Sequence, residues 1–430
     1  MQLAIFEDEV YENLYPLTLT KPVYYLKTGT STILQKILKS IKKRENVKTL
    51  LFCRKYLENI VRENLTEIRV NDFDSIEDEL LLINGLLIPD ENIEKMLEKL
   101  SMKSSAIVKN GRVVIARIDR KKFEKKDFIT SLLNPKTVSK TILKNIENRI
   151  ESNEIRLIEY PWELFEVNNK LIQREFIPSE WEGEVDEGAR IYGDTRRIYI
   201  GKGAFVESGV ILDAREGPIY IGENTYVQTL SRITGPTYIG NDCIIFGAQL
   251  REGCSIGDVC RVGGEIEETI FHAYSNKRHY GFIGHAYIGE WVNLGAGTTN
   301  SDLKNTYGSI KVTIRKKKIN SGRIFVGCFV GDHVKAAIGV MIYSGKKIGV
   351  SSHVYGTISD DVPSFTAYAK SLGKGSAEIY LDSAIETARR MMQRRKIEMS
   401  NSYEEMLRQV FKLTQKERTT ANVKKGKFRF

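Results

Sequence analysis

Cysteine is scarce in this chain and does not come in pairs. Cys53, Cys243, Cys254, Cys260 and Cys328 are odd in number, and none stands in a CxxC motif. Disulfide frameworks and thiolate zinc sites are built from spaced pairs, so the simplest reading is buried free thiols in a reducing cytoplasm. Long apolar runs are also missing. No stretch approaches the roughly 20 residues that span a bilayer, so no membrane partner is expected. The opening Met1-Gln2-Leu3-Ala4-Ile5-Phe6-Glu7-Asp8 turns acidic without a basic n-region or a cleavage site, and reads as a first strand rather than a signal peptide. Charge of one sign is in excess only locally. Residues 412–430 carry seven basic side chains against Glu417, which is +6 of the net +10. A short basic tail reads as a solvated, frayed end, and nucleic acid is not an expected partner.

What is present exceeds a single core. A chain of 430 residues, 41% of them apolar, can bury two cores and an appendage. Over the first 170 residues short apolar runs alternate with helical patterns. Leu3–Phe6, Val47–Phe52 and Glu79–Ile83 suit buried parallel strands, while Thr32–Ile41, Tyr56–Asn64 and Glu91–Leu100 space apolar residues three and four apart. Ser105–Asp119 reads as an antiparallel pair turning at Asn110-Gly111. This alternation predicts an α/β domain over 1–175.

At about Glu175 the period changes. Aliphatic residues fall six apart at Ile200, Val206 and Leu212, then from Ile221 through Val227, Ile233, Ile239 and Ile245. Later runs are Phe282, Ile288 and Leu294, then Ile324, Val330, Ala336, Ile342, Ile348 and Val354. Six-residue steps fit a triangular coil, one repeat per side with one aliphatic side chain pointing in. The expectation for 190–360 is a left-handed parallel β-helix of hexapeptide repeats. The register slips near Arg251–Ile256 and vanishes between Thr298 and Gly322, where a segment containing Arg315-Lys316-Lys317-Lys318 is expected to leave the coil. Beyond Pro363 the pattern is helical at Ala377–Arg395 and Tyr403–Leu413, a helical appendage over 375–430 that caps the open end of the solenoid or serves trimer contact.

The stretch Ser275-Asn276-Lys277-Arg278-His279-Tyr280-Gly281-Phe282-Ile283-Gly284, followed by His285 through Asn293-Leu294-Gly295-Ala296-Gly297-Thr298, carries the candidate chemistry. Histidine has a reference pKa near 6.5 and is suited to taking a proton from an amine at neutral pH. Read alone, such a histidine is more often a surface or satisfied residue than a base. The spacing of His272, His279 and His285 puts no two on one helix face, so no metal site is expected.

The same stretch resembles the acyltransferase half of the GlmU family, whose motif reads K-A-G-H…Y-L-G-D-A-x-I-G-D-N-V-N-I-G-A-G-T. Without gaps, the family histidine falls on His279, the asparagine on Asn293 and G-A-G-T on Gly295–Thr298. The resemblance implies that His279 is the general base, that Asn293 binds the sugar, and that Gly295, Ala296 and Gly297 form the wall beside an acyl-CoA thioester. Lys277 and Arg278 are candidate phosphate contacts. The family's phosphate-holding lysine is Glu267 here, its tyrosine after the histidine is Phe282, and its Asn-Tyr pair becomes Asp302-Leu303.

Nearer the N-terminus, Asn13-Leu14-Tyr15-Pro16-Leu17-Thr18-Leu19-Thr20-Lys21-Pro22 resembles the second half of the sugar nucleotidyltransferase signature G-G-x-G-T-R-L-x-P-L-T, so the first domain is expected to be nucleotidyltransferase-like (Rossmann-like). The glycines that cradle a triphosphate are replaced by Asp8-Glu9-Val10-Tyr11-Glu12, and the family's G-D reads Asn84-Gly85. Asn13, Leu14, Thr18, Lys21, Asn84 and Gly85 are the positions a nucleotide would use. The whole reads as a cytoplasmic, homotrimeric transferase that moves an acyl group from acetyl-CoA or another acyl-CoA to an amino sugar or nucleotide sugar. Two alternatives stay open: a sugar-1-phosphate nucleotidyltransferase using magnesium, and a non-catalytic trimeric scaffold that binds sugar nucleotides.

Overall fold

The computed structural model describes residues 2–41, 48–77, 79–100, 104–119, 125–426 and 428. The chain forms two compact units. One comprises Met1–Leu14, Thr20–Leu26 and Ser31–Tyr160; the other comprises Tyr15–Leu19, Lys27–Thr30 and Pro161–Phe430.

The first unit is built on a seven-stranded sheet. Its strands are β1 (Gln2–Phe6), β2 (Lys48–Leu51), β3 (Arg69–Val70), β4 (Glu79–Asn84), β5 (Ser105–Lys109), β6 (Arg112–Asp119) and β7 (Asn148–Glu151), in the order β3-β2-β1-β4-β6-β5-β7. β1 is central and parallel to both β2 and β4, which is why its five residues are all buried and nearly all apolar. The hairpin expected at Asn110-Gly111 is present. Both turn residues have positive φ, 50° and 73°, the geometry that Asn-Gly tolerates best. β7 then pairs parallel to β5, an edge that no local pattern announced. Helices α1 (Ile33–Ile41), α2 (Glu58–Asn64) and α3 (Ile93–Lys99) lie where helical spacing placed them, and α4 (Lys125–Leu132), α5 (Val138–Lys144) and, in the second unit, α6 (Trp162–Glu175) follow in chain order. Val47, at the start of one expected strand, lies outside the described residues.

The second unit is the expected β-helix. Strands stack parallel from coil to coil on three faces. On one face Val206 pairs Val227, Val227 pairs Ile245, and Ile245 pairs Val262. On another, Ile200, Ile221, Ile239 and Ile256 stack in the same way. These residues are fully buried, because each side of the triangle turns one side chain inward and each full coil steps about 4.8 Å along the axis.

Two positions of the six-residue pattern are wrong. Phe282 pairs with outward Glu265, while its neighbour Ile283 pairs with buried Ile266 and fills the core. Ile324 is about half exposed, since the coil re-enters at Cys328–Val330. The segment that leaves the coil carries an antiparallel hairpin, Lys311–Ile314 with Lys317–Asn320, with Arg315 and Lys316 at its turn.

The end of the solenoid is closed by an antiparallel pair, Thr366–Ala369 with Gly375–Glu378, so Ala377 belongs to a strand and not to a helix. Helices α7 (Leu381–Gln393) and α8 (Asn401–Leu413) follow, and Arg395, just past the end of α7, bonds Asn276 in the body of the coil. Tyr403 of α8 bonds His333 at 2.8 Å and meets a ladder of rings at one corner of successive coils, Tyr274 on Trp291 and Trp291 on His333. Nor is the basic tail frayed throughout. Arg418 is buried, pairs with Glu378 at 2.6 Å and lies 4.0 Å over the Phe411 ring.

Candidate active site

The site is built on one face of the β-helix, where each two-residue strand presents one side chain outward and the next inward. Arg261, Asn276 and Asn293 align in register as an outward column, beside Val262, Lys277 and Leu294. Against this column lies a cavity of about 490 Å³. His279, Asn293, Gly295 and Ala296 all line it, as does Arg278, whose guanidinium lies 4.3 Å from the centre of the Phe246 ring. His279 is exposed, and its imidazole has no hydrogen-bond partner among the described residues. The other two clustered histidines go elsewhere. His272 is buried near the Tyr287 ring, and His285 is held by Asp302 at 2.8 Å.

Lys277 corrects the sequence expectation. It neither lines the cavity nor meets solvent. It fills an inward position of the column, fully buried, and its ammonium donates to the backbone carbonyls of His279 and Tyr280. Burial pushes its pKa down to about 8. Gly297 also stands back from the lining. Its φ of +74° and the hydroxyl of Tyr280, 3.1 Å from where a Cβ would sit, explain the glycine. Gly295 is needed for close approach, because a Cβ there would lie 2.6 Å from the carbonyl oxygen of Ala337.

Several lining residues were not anticipated: Arg261, Asn276, Ile338, Arg394 and Arg395. Asn276 donates to Asn293 at 3.3 Å and accepts from Arg395 Nη2 at 2.9 Å, so it links the outward column to the turn that ends α7. Arg394 and Arg395 lie more than a hundred residues beyond His279, and no local signal connects them to the motif.

The candidate nucleotide positions of the N-terminal segment line none of this cavity. Asn13, Leu14, Thr18, Lys21 and Asn84 are buried, and a Cβ on Gly85 would press on Tyr24 and the Phe6 carbonyl. Glu9–Leu14 is a short 3-10 helix where a glycine loop would run. The carboxylates around it are neutralised from within. Asp8 accepts from Arg112 Nε at 2.8 Å, from Asn84 at 2.7 Å and from the Val10 amide at 3.1 Å. Glu7 is gripped by Arg54 and Glu12 pairs with Lys136. Arg54 and Arg112 were missed in the sequence because they lie far along the chain. Both Asp8 oxygens already face donors, and a magnesium ion does not fit that arrangement.

Residues 3–178 match the sugar nucleotidyl transferase family. The bifunctional sugar-1-phosphate nucleotidylyltransferase/acetyltransferase of Sulfurisphaera tokodaii is 27% identical over 285 residues, covering 63% of this chain and 63% of that protein. The bifunctional protein GlmU of Methanocaldococcus jannaschii is 24% identical over 393 residues, covering 79% of this chain and 89% of that one. At this low identity the chain is similar to bifunctional proteins that join a nucleotidyltransferase to an acetyltransferase. Its match thus spans less than two thirds of the Sulfurisphaera protein. Among solved structures, the UDP-N-acetylglucosamine acyltransferase of Francisella novicida overlaps 55% of this chain and 77% of that one, at 15% identity and a TM-score of 0.29. The β-helix is established by the strand register, not by that overlap. Among the described residues no helix is long and apolar enough to cross a membrane, and all five cysteines are free and buried.

Proposed function

We propose that the β-helical unit of this chain transfers an acyl group from acetyl-CoA, or another acyl-CoA, to the amine of an amino sugar or nucleotide sugar. The observation that carries this reading is the gathering of His279, Asn293, Gly295 and Ala296 on one cavity wall. An ammonium has no lone pair, so His279 takes one proton; the amine nitrogen then bonds to the thioester carbonyl carbon, the C–S bond breaks, and the nitrogen's surplus proton passes to the departing CoA thiolate, leaving an amide and a thiol. Asn293, held by Asn276, orients the sugar. Gly295 and Ala296 let the thioester approach the backbone.

In this reading the chain works in the cytoplasm as a homotrimer, with 190–360 as the acyltransferase domain and 375–430 as an appendage that contributes to its cavity. The 1–175 domain keeps the nucleotidyltransferase fold while its loop has become a buried ion-pair network, which argues for a structural or degenerate nucleotide-binding role and against nucleotidyl transfer.

The test is acetyl transfer from acetyl-CoA to a panel of amino sugars and their phosphates. His279→Ala is expected to lower kcat by about 100-fold or more while the variant keeps the wild-type oligomeric state and melting temperature, since the side chain is exposed. Transfer at the wild-type rate by that variant removes His279 from the role of base.

A further inference from the structure

The cavity is walled by guanidinium groups that acyl transfer does not require. Arg261 stands on the outward column beside Asn276, while Arg394 and Arg395 come from the turn that ends α7. Arg278 adds a fourth at the rim, and no aspartate or glutamate is among the lining residues. Arg395 is tied to Asn276 through Nη2, yet its buried Nε has no partner among the described residues. Its pKa is lowered, first by burial and then by the charges of Arg261 and Arg394. Like charges crowding a half-buried donor are unfavourable on their own, and an anion relieves both the repulsion and the unmet donor. The planar fork of arginine matches phosphate oxygens better than any other side chain does.

We propose that Arg261, Arg394 and Arg395 form a phosphate-binding site, which makes the C-terminal helices part of the ligand cavity and selects a ligand bearing a phosphate or diphosphate. The proposal rests on the acyl-transfer reading for the identity of that ligand, whose phosphate belongs either to the acyl donor or to the acceptor sugar.

The experiment is calorimetric titration of the full chain with inorganic pyrophosphate, coenzyme A and glucosamine 1-phosphate, at low and moderate salt. Arg394→Gln is the first variant, because that side chain is exposed and bonded to no other described side chain. Arg261→Gln and Arg395→Lys follow, each checked by thermal melting. Pyrophosphate binding is expected to weaken at least tenfold in Arg394→Gln and to fall with salt in the wild type. A parallel loss for coenzyme A assigns the site to the donor; a parallel loss for glucosamine 1-phosphate assigns it to the acceptor. Equal affinities in the wild type and in folded Arg394→Gln and Arg261→Gln overturn the proposal, as does failure of the wild type to bind any of the three. His279→Ala is expected to bind pyrophosphate as the wild type does. Loss of the base assignment and loss of the anion site are therefore separate results.

Discussion

Lys277 lies directly beneath the turn that carries His279. Its ammonium donates to the carbonyl of His279 and, at 3.0 Å, to that of Tyr280. It does so from a position occupied by Val262 on one neighbouring coil and Leu294 on the other. A lysine in an aliphatic column is costly, and the two carbonyls are what it provides in return: the exposed turn is pinned from inside.

That position predicts a pH signature. The folded pKa is about 8, against roughly 10.4 for an unfolded chain. Below pH 8 both states are protonated and the full burial cost stands. Between about 8 and 10.4 the unfolded state holds more protons, so stability rises with pH through that window. Relative to Lys277→Met, the wild type is expected to gain on the order of 3 kcal/mol across it, an upper bound from the shift. Ionising cysteines and tyrosines affect both proteins and cancel in the difference. Urea unfolding of both at pH 7.5 and pH 10 measures this, and a difference that does not change with pH contradicts it. In Lys277→Met, kcat for acyl transfer is also expected to fall while KM for the acyl donor changes little.

Gly295 makes a steric prediction. A methyl group there meets the Ala337 carbonyl oxygen at 2.6 Å and the Ile338 amide nitrogen at 2.8 Å, both backbone atoms of the next coil. Backbone cannot rotate aside as a flexible side chain can. Gly295→Ala is expected to cost about 1–3 kcal/mol by overpacking, and to reduce acyl transfer in the fraction that stays folded because the wall itself is displaced. A stability equal to wild type, measured by chemical denaturation, would show that the coils part freely at this point.

The buried pair in the first unit gives a third test. Asp8 and Arg112 are both buried, and Asn84 and the Val10 amide complete the carboxylate's donors. Arg112→Met leaves an uncompensated buried charge and is expected to destabilise by about 3–5 kcal/mol. Replacing Asp8 with leucine as well is expected to recover much of that loss, because an apolar pair replaces an ion pair at lower desolvation cost. The double-mutant cycle is measured by denaturant titration. A loss under about 1 kcal/mol in the single variant would free Asp8 for a role other than structure.

Much of the architecture is legible in the residue pattern. The six-residue spacing is visible because each coil side must turn one aliphatic residue inward, and from Ile200 to Ile245 every such residue is buried. It fails at Phe282 and Ile324, where two adjacent apolar residues compete or the chain has left the coil, since periodicity cannot say which of two neighbours faces inward. It fails at Lys277 for a related reason. A charged side chain reads as solvated, and only the strand register reveals that it stands between Val262 and Leu294. The Glu7–Arg54 and Asp8–Arg112 pairs are equally silent in sequence, joining residues 47 and 104 positions apart.

The amino-acid sequence alone determined the α/β and β-helical periods, the histidine motif and the free thiols, because each depends on spacing along a few consecutive residues. The tertiary structure alone decided what surrounds the motif: that Lys277 turns inward, that Asn276 bridges to Arg395, and that arginines from Arg261 and from the end of α7 close the cavity. Those are contacts between coils and between a coil and a helix, set by how backbones stack in space, and no local pattern of side chains encodes them.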